Sequence, residues 1–251
     1  MPKNTDHDKP LPEWDLVLSA AARLQSELPG AVLVGGTASA LHAGHRGSRD
    51  ADHVMRDLRE RFDEVLAQLE SVAGWQTARV KRPVMILGSL DGIETGVRQL
   101  IRKAPLETRT VEHQGAAITV PTEEEMLRIK AVLILKRNAT RDYLDFVAMG
   151  TRLGDERSAR AMESFDRLYP QKSGQSSLQQ LQAQLANPMP YDLKDVDLSE
   201  YKNLDPRWHD WNAVTSAAAH LGVVIFDHVA TMSTSPRKKG RAIDPNDQGR
   251  S

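Results

Sequence analysis

Residues 32 to 55 read VLVGGTASALHAGHRGSRDADHVM, and this stretch narrows the fold more than any other part of the chain. A short apolar run ends in Gly35-Gly36, a small-residue segment follows, and the chain returns extended with Asp50 and Asp52 one residue apart. The pattern predicts a strand, a tight turn, a short helix and a second strand. Side chains at i and i+2 of a strand share a face, so Asp50 and Asp52 converge on one region of space. Two carboxylates that close repel unless a cation lies between them, and Mg²⁺ takes oxygen ligands while keeping positions for phosphate oxygens. The glycines bring the complementary half. With no Cβ, the backbone at Gly35 and Gly36 admits a phosphate closely, and Thr37 stands where a helix N-terminus offers free N–H groups. Alone, Gly-Gly is an ordinary turn and D-x-D a solvated strand edge; their order and spacing give the stretch its chemical meaning.

The rest of the chain reads as an α+β body with a helical continuation. Residues 1 to 13 form a loose arm. In the core over 14–120, Leu16, Val17, Ala20, Ala21, Leu24 and Leu28 predict one amphipathic helix, and Leu58, Phe62, Val65, Leu66 and Leu69 another. WQTARV and PVMILGSL read as strands, and TRTVEHQGAAITV as a hairpin turning at Gln114-Gly115. Together these make a mixed sheet with flanking helices. A helical cap follows over 121–170, opened by a capping box of Thr122 and Glu125, interrupted at Asn138, and continued by TRDYLDFVAMG and ERSARAMESFDRLY. A linker over 171–205 holds one short helix, SLQQLQAQL. A C-terminal helix over 206–232, with Pro206 in its first turn, either packs back on the body or meets a partner, and 233–251 is a disordered tail.

Composition excludes some functions. Lys and Arg number 33 against 34 Asp and Glu. No global field draws nucleic acid, and affinity for it would rest on local clusters: ARVKR at 78–82, RQLIRK at 98–103 and RKKGR at 237–241. With no cysteine there are no disulfides and no thiolate metal sites, which suits a reducing cytoplasm. MPKNTDHDKPLPEWD has no apolar core of a signal peptide, and AAAHLGVVIFDHVA is too short and too polar to span a membrane, so the expectation is a cytoplasmic protein without a membrane partner. His42, His45 and His53 lack the spacing of a zinc helix and are expected on a helix surface and in a loop. No G-x-S-x-G surrounds Ser48, which argues against a hydrolytic nucleophile.

VGGTASALHAGHRGSRDAD resembles the signature of the polymerase-beta type nucleotidyltransferase superfamily, and KAVLILKRNATRDYLDFVAM resembles the K…R…RDxxD segment of the AbiEii/AbiGii toxin-type nucleotidyltransferases. The two motifs span residues 32 to 149. The resemblance implies Asp50 and Asp52 as Mg²⁺ ligands and Gly35, Gly36 and Thr37 as the triphosphate cradle. It implies Ser48 orienting a phosphate or water, and Lys130 and Asp142 contacting nucleotide with Arg137, Arg141 and Asp145 nearby. Arg141 and Asp145 are also spaced to bridge each other along a helix. Two departures stand out: Ala51 is small and His53 polar where the superfamily has apolar neighbours of the second aspartate. A third carboxylate is expected from a later strand, with Glu94 favoured over Asp91.

The implied reaction is attack by an acceptor hydroxyl on the α-phosphate of a nucleoside triphosphate, with pyrophosphate leaving. The implied acceptor is RNA, notably the tRNA 3′ end, or a protein, in a toxin held by a cognate antitoxin. A transferase acting on a small molecule, as aminoglycoside-modifying enzymes do, and a degenerate nucleotide-binding module are the alternatives.

Overall fold

Burial alternates along β2 (Ala51–Met55): Ala51, His53 and Met55 are buried, and Asp52 and Val54 are half-buried. One face of this strand is therefore closed by packing, and the other is open. The computed structural model describes residues 13–234; the arm over 1–12 and the tail from 235 onward lie outside them. A five-stranded sheet runs in the order β1 (Val32–Leu33), β2, β5 (Ile93–Gln99), β4 (Met85–Leu90), β3 (Trp75–Lys81). The β2–β5 pair is parallel and the other pairs antiparallel, so the sheet is mixed, as expected. Helices α1 (Trp14–Glu27) and α3 (Phe62–Ser71) close one face, with Leu24, Leu28, Phe62, Val65 and Leu69 packed against Met55, Ile86, Leu90 and Val97.

The hairpin β6 (Thr108–His113) and β7 (Ala116–Pro121) turns at Gln114 and Gly115, both at positive φ (48° and 80°), as a two-residue hairpin with the native twist requires. Its inner residues Ile118 and Val120 join a second core with α1 and the helices that follow: α4 (Glu123–Arg137), α5 (Thr140–Leu153), α6 (Asp155–Met162), α7 (Phe165–Leu168), α8 (Ser177–Ala186) and α9 (Trp211–Thr234). Asn138 ends α4 in the left-handed conformation that asparagine tolerates.

Three local expectations meet a different outcome. The capping box is half formed: Thr122 Oγ1 accepts from Glu125 N at 3.2 Å, but Glu125 does not reach back. Its carboxylate is buried and accepts from Arg102 and Arg128, both at 2.9 Å, because two charge-assisted bonds out of water outweigh one cap bond. The stretch over 171–205, read as a linker, packs Leu178, Leu181, Leu185, Leu198 and Leu204 into the second core. Pro206 heads a separate 3₁₀ turn, Pro206–Trp208, and α9 starts after it.

That last helix is longer than the apolar run suggested. Over Trp211–Met232 its length and mean hydropathy of 1.4 are those of a helix able to cross a membrane. Small polar residues upstream of Ala217 interrupt the apolar run without breaking the helix. Its stripe of Val214, Ala218, Leu221 and Ile225 is buried, and His220 and His228 on its flank meet Asp155 at 3.0 Å and Glu163 at 2.8 Å.

Candidate active site

The opening motif folds into a turn pressed against its own acidic strand. Val34 N donates to the Asp52 carbonyl at 2.8 Å, and α2 (Gly35–Ala43) starts at once. Gly35 has φ +74°, a conformation that L side chains rarely adopt, and a Cβ there would lie 3.4 Å from Asp52 Cβ. At Gly36 a Cβ would meet Arg46 Nη2 at 2.6 Å and Ser48 Oγ at 3.0 Å. The N-terminus of α2 thus faces Asp52 at Gly35, whose positive φ favours glycine, and is pressed against Arg46 and Ser48 at Gly36. Thr37 lies in the first turn of α2, as expected, with its side chain fully buried and its hydroxyl donating to the Asp50 carbonyl, which tethers the entry to β2. Ser48 Oγ donates to Asp50 Oδ1 at 3.0 Å and so orients that carboxylate.

Burial and the neighbouring charge of Asp50 push the Asp52 carboxyl above its ordinary pKa, against the opposing pull of Arg98, Arg141 and Arg137. The Nε of Arg98 lies 3.8 Å from Asp52 Oδ1. Register explains the encounter: Asp52 sits beside Gly96, so alternation along β5 puts Glu94, Gly96 and Arg98 on the Asp52 face. Glu94 is exposed on that face, whereas Asp91 lies in the β4–β5 turn, paired with Arg23. Among the described residues no group of three or more His, Asp or Glu gathers to hold a metal ion, so Glu94 does not complete a three-acid cluster with the pair. The chain's own donors are the oxygens of Asp50 and Asp52. A carboxyl whose charged form is disfavoured by its neighbour suits a hard divalent cation that takes its remaining ligands from phosphate.

Beneath the turn lies a buried ionic cluster. Asp145 on α5, wholly out of solvent, receives Arg46 Nε at 2.8 Å and Nη2 at 3.0 Å, His45 Nε2 at 2.7 Å and Lys130 Nζ at 2.7 Å. Burial works to raise the Asp145 pKa, but Arg46, Lys130 and His45 outweigh it and hold the carboxyl well below the usual range. Lys130 is 1% exposed, so it reaches Asp145 rather than open solvent in the cleft. Asp142 is buried and takes a fork from Arg137, at 2.5 and 2.6 Å. Asp145 pairs with Arg46, not with Arg141 one turn away. The loop over 45–47 is strapped from above: Gly47 N donates to the Lys202 carbonyl at 2.9 Å, and Asp205 N to the His45 carbonyl at 2.7 Å.

His42 lies on α2 but is buried rather than on the helix surface, His45 lies in a loop as expected and is buried there, and His53 is buried on β2. His42 donates to the Pro121 carbonyl at 2.8 Å. His53 points into the closed face, where burial pushes its pKa down to about 4 against the backbone groups of Ala51, Gly96 and Ala21, which pull it up. Sequence reasoning also passed over Arg46 and Arg98. Arg46 lies inside the motif itself, two residues before Ser48; Arg98 was counted only within a basic cluster.

No protein-family model matches the chain. Over 229 aligned positions it is 28% identical to the heme uptake protein MmpL11 of Mycobacterium tuberculosis, a match covering 76% of this chain and 23% of that protein. The chain thus spans less than a quarter of the length of the curated relatives it matches. Among solved structures it is similar to a candidate nucleotidyltransferase of H. pylori, with a TM-score of 0.48, 15% identity, and coverage of 87% of this chain and 96% of that one. It is also similar to ANT(2″)-Ia in complex with adenylyl-2″-tobramycin, with a TM-score of 0.45, 15% identity, and coverage of 61% and 97%.

Proposed function

We propose that the chain is a nucleotidyltransferase that moves a nucleoside monophosphate from a nucleoside triphosphate to an acceptor hydroxyl and releases pyrophosphate. The observation behind this reading is the approach of Gly35 to Asp52, whose carboxyl pKa is raised by burial and by the charge of Asp50. Phosphates enter against the bare backbone of the turn and the N-terminus of α2. Asp50, oriented by Ser48, and Asp52 hold Mg²⁺, which when bound supplies charge neutralisation at the phosphates. Arg98, Arg137 and Arg141, whose charges act on Asp52, face the phosphates as permanent cations. Lys130 acts from below through Asp145. Glu94, exposed on the Asp52 face, takes the proton of the attacking hydroxyl.

RNA is the acceptor in this reading, with the tRNA 3′ end first among candidates and a protein next. Two of the basic clusters support it. ARVKR lies along β3 with Arg79 and Lys81 exposed, and RQLIRK starts on β5 with Arg98; both belong to the sheet that bears Asp52. The chain would act in the cytoplasm, where triphosphates and RNA meet, as a toxin held in check by an antitoxin.

The test is incubation with Mg²⁺, each α-labelled triphosphate in turn and, as acceptors in parallel, bulk cellular RNA, cellular protein and an aminoglycoside, beside an Asp50→Ala/Asp52→Ala control. Label entering tRNA-sized RNA only with the unmutated protein is the expected result. Label on protein or on an aminoglycoside instead would overturn the RNA acceptor, and no nucleotide binding or transfer at all would overturn the transferase.

A further inference from the structure

Arg46 links the helical cap to the glycine turn. Its guanidinium makes a two-pronged bond to Asp145 on α5 and donates to the Gly47 carbonyl at 3.0 Å. The same guanidinium fills the space where a side chain at residue 36 would go, next to the Ser48 hydroxyl that orients Asp50. Asp145 in turn is held by Lys130 from α4 and by His45. A planar, permanently charged fork is therefore wedged between the helical cap and the turn, its direction set by a buried carboxylate.

We propose that Arg46 is a positioning residue. Pinned by Asp145, it sets the height of the Gly35–Gly36 turn relative to Asp50 and Asp52, and so the fit of the triphosphate. This rests on the nucleotidyl-transfer reading of the turn. Gly36 is glycine because Arg46 occupies its side-chain volume, and Ser48 is small because it shares that volume. The loop over 45–47 holds this arrangement by its backbone bonds to Lys202 and Asp205.

The test is a double-mutant cycle on the full chain. The probe is Mg²⁺ with whichever of the four common ribonucleoside triphosphates the unmutated protein binds most tightly, with Kd read by calorimetry and folding by Tm. Arg46→Lys keeps the charge but loses the fork, and it should weaken the triphosphate about ten-fold or more while leaving the affinity for the matching nucleoside, which has no phosphates, unchanged. Gly36→Ala should weaken the triphosphate similarly. Placed in Arg46→Ala, Gly36→Ala should add almost nothing, because the group it collides with is gone. If Arg46→Ala does not fold, Arg46→Lys takes its place in the cycle with the same expected sign. Losses that simply multiply in the double variant, or an Arg46→Lys Kd within about two-fold of the unmutated value, overturn the positioning role and leave the transferase standing. An unmutated protein that binds none of the four triphosphates overturns both.

Discussion

Replacing Asp145 by Asn removes one negative charge from beneath Arg46 and Lys130 while leaving side-chain volume almost unchanged. Removing one partner of a buried ion pair costs about 3–5 kcal/mol, because the remaining charge keeps its desolvation penalty without compensation. Here Arg46 and Lys130 share the lost charge, and the asparagine's single carbonyl oxygen cannot replace the two carboxylate oxygens that received Arg46, Lys130 and His45. For a chain of this size each kcal/mol moves Tm by about 2–4 °C, so Asp145→Asn should lower Tm by about 6–20 °C at pH 7. The pH dependence has a definite sign. The folded carboxyl lies well below its ordinary value of 3.8, so its contribution is complete above 3.8 and is lost as pH falls from there toward the folded pKa. Thermal unfolding of both proteins, followed by circular dichroism from pH 7 to pH 3, should show a gap in Tm that is constant at higher pH and narrows below 3.8. A gap under about 3 °C at pH 7, or one that widens with acid, would refute the view that Asp145 anchors the cluster.

Asp52 should respond in the opposite direction. Its folded pKa is raised, so its charge is a cost above that pKa and the cost vanishes as pH falls through it; Asp52→Asn should keep or raise Tm at pH 7 while abolishing nucleotidyl transfer. Mg²⁺ at about a hundred times its Kd should stabilise the unmutated protein by about 2.7 kcal/mol and leave Asp52→Asn unmoved, as differential scanning fluorimetry would record. His53 titrates at about 4 in the fold against 6.5 outside it, so the unfolded chain binds the proton first and stability falls as pH drops between those values. That loss reaches about 3 kcal/mol, and a His53→Leu variant should lack it, with a flatter stability profile from pH 6.5 down to about 4 in urea titrations. Gly150→Ala would bring a Cβ to 2.4 Å from Leu221 Cδ1 and should cost about 1–3 kcal/mol by loosening α9 from α5; an unchanged urea midpoint would show that Leu221 yields freely.

Local rules carried the reading as far as local forces reach. Alternation along 51–55 and the glycines at 35 and 36 are properties of a few consecutive residues; the strand bearing Asp52 lies where that pattern put it, with Asp50 just ahead of it and the two glycines opening α2. The hairpin at Gln114-Gly115, the cap at Thr122 and the break at Asn138 were legible for the same reason. Glu125 shows where such rules stop: its local role as a cap partner lost to Arg102 and Arg128, because a buried carboxylate is governed by the charges around it.

The sequence by itself determined the order of elements, the α+β character and the strand that carries Asp52, since each follows from dihedral preference and periodicity over fewer than about ten residues. The tertiary structure alone decided what surrounds them. It put Arg98 beside Asp52 through the register of two parallel strands distant in sequence, and it put Arg46 and His45 on Asp145, roughly a hundred residues away. It also buried His42, expected on a helix surface, together with His45 and His53. Those outcomes depend on which faces meet when the core closes, and the cost of stranding a charge or a polar ring out of water then selects the partner.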